Sequence, residues 1–411
     1  MTAKMNRSSF LLGAVSGIAV AANTDSFFAQ ALAQPALPGL PGDAADRVLV
    51  VLNLAGGNDG LNTVVPHGLD QYYRFRPRIA VPAADVLRLN DQIGLNPKMR
   101  SLKAMYDRGQ VAIVQGAGYP HPDHSHFRST QIWQSASPDS YERTGWIGRF
   151  LDETKPAATN LFSGVAIADV LPDVMVAKTV DVPALSNLRS YGLRSDKRSD
   201  ARDTFASLVH DARVPFQSPY LGTVMEIEAH AQRGSEELPK LVAGYKSTAS
   251  YPAVPLGRSL ALAAQIVGSR LGTRVIYVQH GSFDTHVSQK NTQDNLLGLL
   301  SDSLSAFYDD LAAHGNDKRV LTMTFSEFGR RVAENASLGT DHGEAGPMFL
   351  VGGGVKGGIY GEHPSFDQLD NGDIVFTTDF RSVYTTIVER WLGRPSAGVI
   401  SGSFQTLPLL G

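Results

Sequence analysis

Asp341 and His342 stand side by side ahead of Gly343. A carboxylate is a hard ligand and an imidazole a borderline one, so on a loop the two can converge on one divalent cation. The glycine lets the backbone turn sharply beneath them. Within 340–358 the triplet leads into Met348-Phe349-Leu350-Val351, which reads as a short buried strand, and then into Gly352-Gly353-Gly354. A lone Asp-His-Gly also reads as a surface turn with a salt-bridging aspartate, so the question is whether the pattern recurs. Asp59 follows the apolar run 47–54, with an Asn-Asp-Gly backbone turn as the plainer alternative. Its glycines lack the Lys-Ser/Thr of a phosphate loop. His121, Asp123, His124, Ser125 and His126 follow the run 111–115. Ser125, between two imidazoles, reads as a nucleophile, a metal-bound hydroxyl or the cap of a helix over 128–134. Asp284 and His286 follow the run 274–278; spaced i, i+2, they point to one side of an extended segment and can share a cation, with His280 as an alternative ligand. Glu327 and Arg330 follow the run 319–325. They read either as a structural pair or as an arginine gripping a tetrahedral anion, a role open to Arg128 as well.

The elements that must position these groups follow from the apolar runs. Runs without alternation suit parallel strands buried on both faces. Helices are expected between them, over 97–108, over 259–271, and in a long helix carrying Leu297, Leu300, Leu304, Phe307 and Leu311 on one stripe. Residues 375–378 lead through Asp379 to a final helix over 382–392. The expectation is an α/β fold with a mostly parallel sheet and its ligands gathered along one edge. Arg74, Arg76 and Arg78 read as a basic surface loop. Over about 155–254 the rhythm of strand and site is lost, with helices expected near 203–212 and 224–233; this stretch reads as a helical insertion or cap bearing substrate selectivity.

Composition narrows the chemistry. The 411 residues contain no cysteine, which excludes disulfides, thiolate metal sites and cysteine nucleophiles. A formal charge of −3 gives no electrostatic case for nucleic acid or an anionic membrane. Lys4 and Arg7 precede the short apolar run 11–22, and small residues at Ala29, Ala31 and Ala33 suit signal peptidase. Residues 1–33 therefore read as an export signal, with an uncleaved anchor as the alternative, 34–45 as a linker and 46–411 as the working domain. The segment 6–12 is similar to a twin-arginine export motif, with Asn6 where that pattern has its first arginine. Export machinery is the expected partner, the destination is the periplasm or the medium, and no membrane span is expected after signal removal.

Five segments together, Gly56-Gly57-Asn58-Asp59-Gly60-Leu61-Asn62, Ser125-His126-Phe127, Asp284-Thr285-His286, Ser326-Glu327-Phe328-Gly329-Arg330 and Gly339-Thr340-Asp341-His342-Gly343, resemble a bacterial exported family of unknown function. That family is related to the sulfatases within the alkaline phosphatase superfamily, and the resemblance spans about 46–402. It implies a three-layer αβα sandwich. It also implies two metals, one held by Asp59, Asp341 and His342, the other by Asp284 and His286. Where the family reads Gly-Gly-Trp-Asp-Thr-His, this chain has Gly281-Ser282-Phe283-Asp284-Thr285-His286. In the superfamily the second metal's Asp and His are four apart and joined by a later histidine; here the spacing is two, and Asp379 is the residue at hand for the third place. Ser125 is the nearest match to the superfamily's nucleophile.

The expected activity is hydrolysis or transfer of a phosphate or sulfate ester, small or polymeric. Ser125, His126 and Arg330 are the catalytic candidates, with one or two divalent ions: zinc or manganese by the mixed Asp/His ligands, calcium or magnesium by the carboxylates alone. The rival expectation is an exported binding or envelope-assembly protein that keeps the fold without turnover.

Overall fold

The computed structural model describes residues 44–154, 160–187 and 238–411. The export segment, most of the linker and the helices expected near 203–212 and 224–233 lie outside the described residues. In chain order the main elements are β1 (Val48–Leu54), α1 (Gly60–Thr63), α2 (Asp70–Phe75), α3 (Arg100–Asp107), β2 (Val111–Gly118), α4 (His126–Ser135), α5 (Trp146–Thr154) and β3 (Gly164–Ile167). They continue with α6 (Pro255–Gly268), β4 (Val275–His280), α7 (Gln289–Ala313), β5 (Val320–Phe325), β6 (Gly346–Gly352), β7 (Gly358–Tyr360), β8 (Thr378–Asp379) and α8 (Phe380–Thr386).

The strands form one sheet in the order β7-β2-β6-β5-β1-β4-β3, with β8 also paired to β2. All pairings are parallel except those of β6, which runs antiparallel to both β2 and β5. This reversal positions the site. Residues entering β6 lie at the edge that residues leaving β1, β2, β4 and β5 also reach.

Apolar runs form these strands because both faces are covered. Along β1, Val48, Val50, Leu52 and Leu54 join one core while Leu49 and Val51 join the other. The first core takes the buried faces of α3, α6 and α7; the second takes Trp133 of α4, Trp146 and Phe150 of α5, and Phe380 and Tyr384 of α8. The result is a three-layer αβα sandwich. On α7 the expected stripe Leu297, Leu300, Leu304, Phe307 and Leu311 is fully buried, each side chain contributing about 1.5–3 kcal/mol by leaving water.

Three expectations need correction. The stretch read as an insertion from 155 supplies sheet strand β3, too short to announce itself as an apolar run. The final helix begins at Phe380, capped by Asp379, and continues as a π-helical turn, Ile387–Trp391. Arg76, read as part of a surface loop, is fully buried.

Candidate metal centre

The loop leaving β4 is not a strand, yet it brings Asp284 and His286 together as expected, with His286 Nε2 3.0 Å from Asp284 Oδ1. The segment entering β6 adds His342, whose Nε2 lies 3.2 Å from the same oxygen. The first residue of α4 adds His126, its Nε2 3.5 Å from Asp284 Oδ2. Three imidazoles from three elements thus converge on one carboxylate.

Each ring is oriented from behind. His126 Nδ1 lies 2.9 Å from Glu327 Oε1, His342 Nδ1 2.8 Å from the carbonyl oxygen of His124, and His286 Nδ1 3.3 Å from Asp341 Oδ1. Each ring has an acceptor behind Nδ1 and the Asp284 carboxylate before Nε2; with the proton on Nδ1, the Nε2 lone pair faces Asp284 and is open to a cation. His286 Nε2 and His342 Nε2 are then 3.0 Å apart with no proton of their own between them. Such a contact is repulsive unless a shared proton or a cation joins the two nitrogens. An imidazole held at one nitrogen by a carboxylate or carbonyl, with the other turned to a common point, is the arrangement of metal-ligating histidines. Among the described residues, one ligand atom each from His126, Asp284 and His342 lies within 4.8 Å of the other two, so the donor set fits a divalent ion taking nitrogen and oxygen ligands.

Charge favours the same state. Burial works to raise the Asp284 carboxyl, but the hydrogen bond and the positive charge of Arg330 work against it, and its pKa is down at about 2. Burial lowers His342, keeping it neutral. Asp341 is lowered chiefly by its hydrogen bond from Asn335. A neutral imidazole beside an ionised carboxylate is what cation binding requires.

Asp341 is a partner of His286 rather than a member of the inner group. Asn335, which carried no signal in the sequence, donates to both Asp341 Oδ1 and the His286 carbonyl. Glu327 does not pair with Arg330; it accepts from the Gly56 amide at 2.8 Å and orients His126. Gly56 has φ +117 and a β-carbon there would sit 2.4 Å from the Asp284 amide nitrogen, so this crossing of the β1 and β4 loops requires glycine.

Arg330 is not placed to grip an anion. It is buried, and its five N–H groups reach Gly57 O at 2.7 Å, Thr340 O at 2.9 Å, Phe283 O at 3.0 Å, Asp284 Oδ1 at 2.7 Å, the Gly56 carbonyl and, at 3.4 Å, His286 Nε2. It pins three loops and the central carboxylate, a positioning role. Arg128 is likewise engaged, with Gln131, with the Pro138 carbonyl at 2.6 Å and over the Tyr141 ring.

The structure does not bring Asp59 to the inner group. Its carboxylate is fully buried, caps α1 by accepting from the Leu61 and Asn62 amides, and lies 2.6 Å from Arg76 Nη1, with Gln289 as a further donor. Gln289 also accepts from Thr340 at 2.6 Å, so Asp59 supports the floor beneath Asp341. His280 is a buried histidine on the Leu296 carbonyl, and Asp379 holds Arg381 at 2.7 Å; neither joins the cluster. Ser125 occupies the position before α4, but its hydroxyl does not cap the helix.

A family model described as a protein of unknown function (DUF1501) matches residues 45–383. No curated protein matches the chain by sequence. Among solved structures, it is similar to a protein in the alkaline phosphatase superfamily from Vibrio parahaemolyticus, at 9% identity over 92% of this chain and 79% of that one, with a TM-score of 0.37. It is similar to the PsFucS1 sulfatase from Pseudoalteromonas sp. at 11% identity over 94% and 75%, with a TM-score of 0.38. It is also similar to the C-terminal periplasmic domain of EcEptC from Escherichia coli in complex with zinc, at 10% identity over 78% and 75%, with a TM-score of 0.33.

Proposed function

The chain belongs to the DUF1501 family, and on that premise we propose that it is an exported, metal-dependent hydrolase or transferase acting on a phosphate or sulfate ester. The observation that supports this reading is the convergence of the His126, His286 and His342 Nε2 atoms on Asp284, each ring fixed at Nδ1 by an acceptor. A divalent ion held by these four residues would supply Lewis-acid polarisation of the ester and of an attacking oxygen. The chain's own residues do the rest. Arg330 fixes Asp284 in place and holds it ionised. Glu327 keeps the His126 proton on Nδ1, so that Nε2 is free to ligate or to accept a proton. The reading of segment 1–33 as an export signal supports export; among the described residues no helix is long and apolar enough to cross a membrane.

The test is a panel of aryl phosphates, phosphodiesters and aryl sulfates assayed with Mg²⁺, Mn²⁺, Zn²⁺ and Ca²⁺. Turnover of at least one class, restored by metal after chelation and lost in Asp284→Asn and His342→Gln, is the expected result. A second reading, a binding protein that keeps the cation without turnover, is favoured by the surroundings of Ser125. The imidazole beside it turns Nδ1 to Glu327 and Nε2 to Asp284 rather than activating the hydroxyl. Metal binding with no turnover across the panel would decide for that reading.

A further inference from the structure

His124 and Glu344 each stand two residues from a member of the cluster around Asp284: His124 from His126 across Ser125, and Glu344 from His342 across Gly343. The two segments are tied together by the bond from His342 Nδ1 to the His124 carbonyl at 2.8 Å. Each sends one ligand-type side chain to Asp284 and one to a different carboxylate, Asp373. Among the described residues, one ligand atom each from His124, Glu344 and Asp373 lies within 4.8 Å of the other two. The function proposed above uses none of the three side chains.

Asp373 supplies the independent observation. It sits on a two-stranded hairpin, Leu369–Asp370 with Asp373–Ile374, whose turn residues Asn371 and Gly372 take φ of +51 and +91, as a tight hairpin turn demands. The hairpin buries Asp373 completely, yet neither carboxylate oxygen has a hydrogen-bond partner. His124 Nε2 lies 3.5 Å and Arg331 Nη2 3.7 Å from its Oδ2, neither making a hydrogen bond to it. Asp370, across the hairpin, adds another carboxylate nearby. Buried carboxylates are ordinarily hydrogen-bonded, ion-paired or bound to metal; Asp373 has these two long ion pairs and no hydrogen bond on either oxygen.

We infer that His124, Glu344 and Asp373 form a second divalent-cation site, distinct from the one at Asp284 and sharing its walls. One imidazole and two carboxylates suit Zn²⁺ or Mn²⁺. An ion there joins the loop before α4, the segment entering β6 and the 369–374 hairpin, and so fixes the rim beside the first site.

Calorimetric titration of ZnCl₂ into chelator-stripped full-length protein tests this, with Asp373→Asn, His124→Gln and Asp284→Asn alongside. The expected result is two equivalents in wild type, and one in each of Asp373→Asn and His124→Gln. Asp284→Asn keeps the equivalent that Asp373→Asn loses. Should Asp373→Asn misfold by circular dichroism, His124→Gln carries the test, because its ring is partly exposed. Wild-type stoichiometry and affinity in both Asp373→Asn and His124→Gln would overturn the assignment. So would a single wild-type equivalent abolished by Asp284→Asn. A single equivalent abolished by Asp373→Asn but kept in Asp284→Asn would support this site while removing the basis of the proposed activity.

Discussion

Replacing Arg76 with methionine removes a guanidinium while keeping a side chain of similar reach in a fully buried place. It leaves the Asp59 carboxylate, also fully buried, without the cation 2.6 Å away. Removing one partner of a buried ion pair costs about 3–5 kcal/mol. Arg76 also donates to the Val332 carbonyl at 2.8 Å and the Arg331 carbonyl at 2.7 Å, so the upper part of that range applies. The amides of Leu61 and Asn62 and the Gln289 side chain still reach the carboxylate and keep the loss from growing further. At about 1.3 °C per kcal/mol for a domain of this size, the melting temperature falls by roughly 6 °C. Urea unfolding of the metal-free protein gives the free energy directly, with Asp59→Asn and the double variant completing a cycle. The double variant should recover a large part of the loss, because no charge is then stranded. A loss below about 1 kcal/mol for Arg76→Met would refute the assignment of Asp59 to a structural pair. So would an Asp59→Asn protein of unchanged stability that has lost one equivalent of zinc.

Further outcomes follow from the same geometry. Glu327→Gln removes the anion that holds the His126 proton on Nδ1 and should weaken Zn²⁺ affinity about 10–100-fold by calorimetry; unchanged affinity would place Glu327 outside the site. Ser282 has φ +78 where the resembling family has glycine, so Ser282→Gly should stabilise the fold by up to about 1 kcal/mol in urea unfolding, the relief of strain exceeding glycine's entropic cost; destabilisation would show that the serine side chain contributes more than its backbone loses. Burial lowers both His280 and His363 below the ordinary histidine value of 6.5. The unfolded chain therefore takes up these protons first, and the stability present above pH 6.5 is lost as pH falls through the folded values. The urea midpoint should be lower at about pH 5 than at about pH 7.5, by less in His280→Gln, and equal pH dependence in variant and wild type would contradict this.

Much of the fold was legible because its signals are local. Continuous apolar runs marked β1, β2, β4, β5 and β6, and the leucine stripe marked α7. The residues that meet around Asp284 were legible as candidates too, since Asp284, His286, His126 and His342 all follow or precede such runs, His126 as a catalytic candidate and the others as ligand candidates. What was not legible depends on which side chains meet in space. Nothing in the sequence distinguishes Arg76 from its neighbours Arg74 and Arg78, yet it alone closes on Asp59. Without that pairing Asp59 read as a ligand like the others. Arg330 read as an anion grip because its carbonyl partners, Gly57, Phe283 and Thr340, come from three distant loops. Asp373 passed unnoticed for the same reason, since the hairpin that buries it brings it against His124 and Glu344 only in the folded chain.

A divalent ion held by Asp284 and the imidazoles around it would be lost with the carboxylate. Zinc per chain, measured by mass spectrometry after loading and exhaustive dialysis, tests it most directly in wild type and Asp284→Asn. Asp284→Asn, folded by circular dichroism, is expected to retain one equivalent less than wild type. Equal zinc in the two proteins, or none in either, would contradict it.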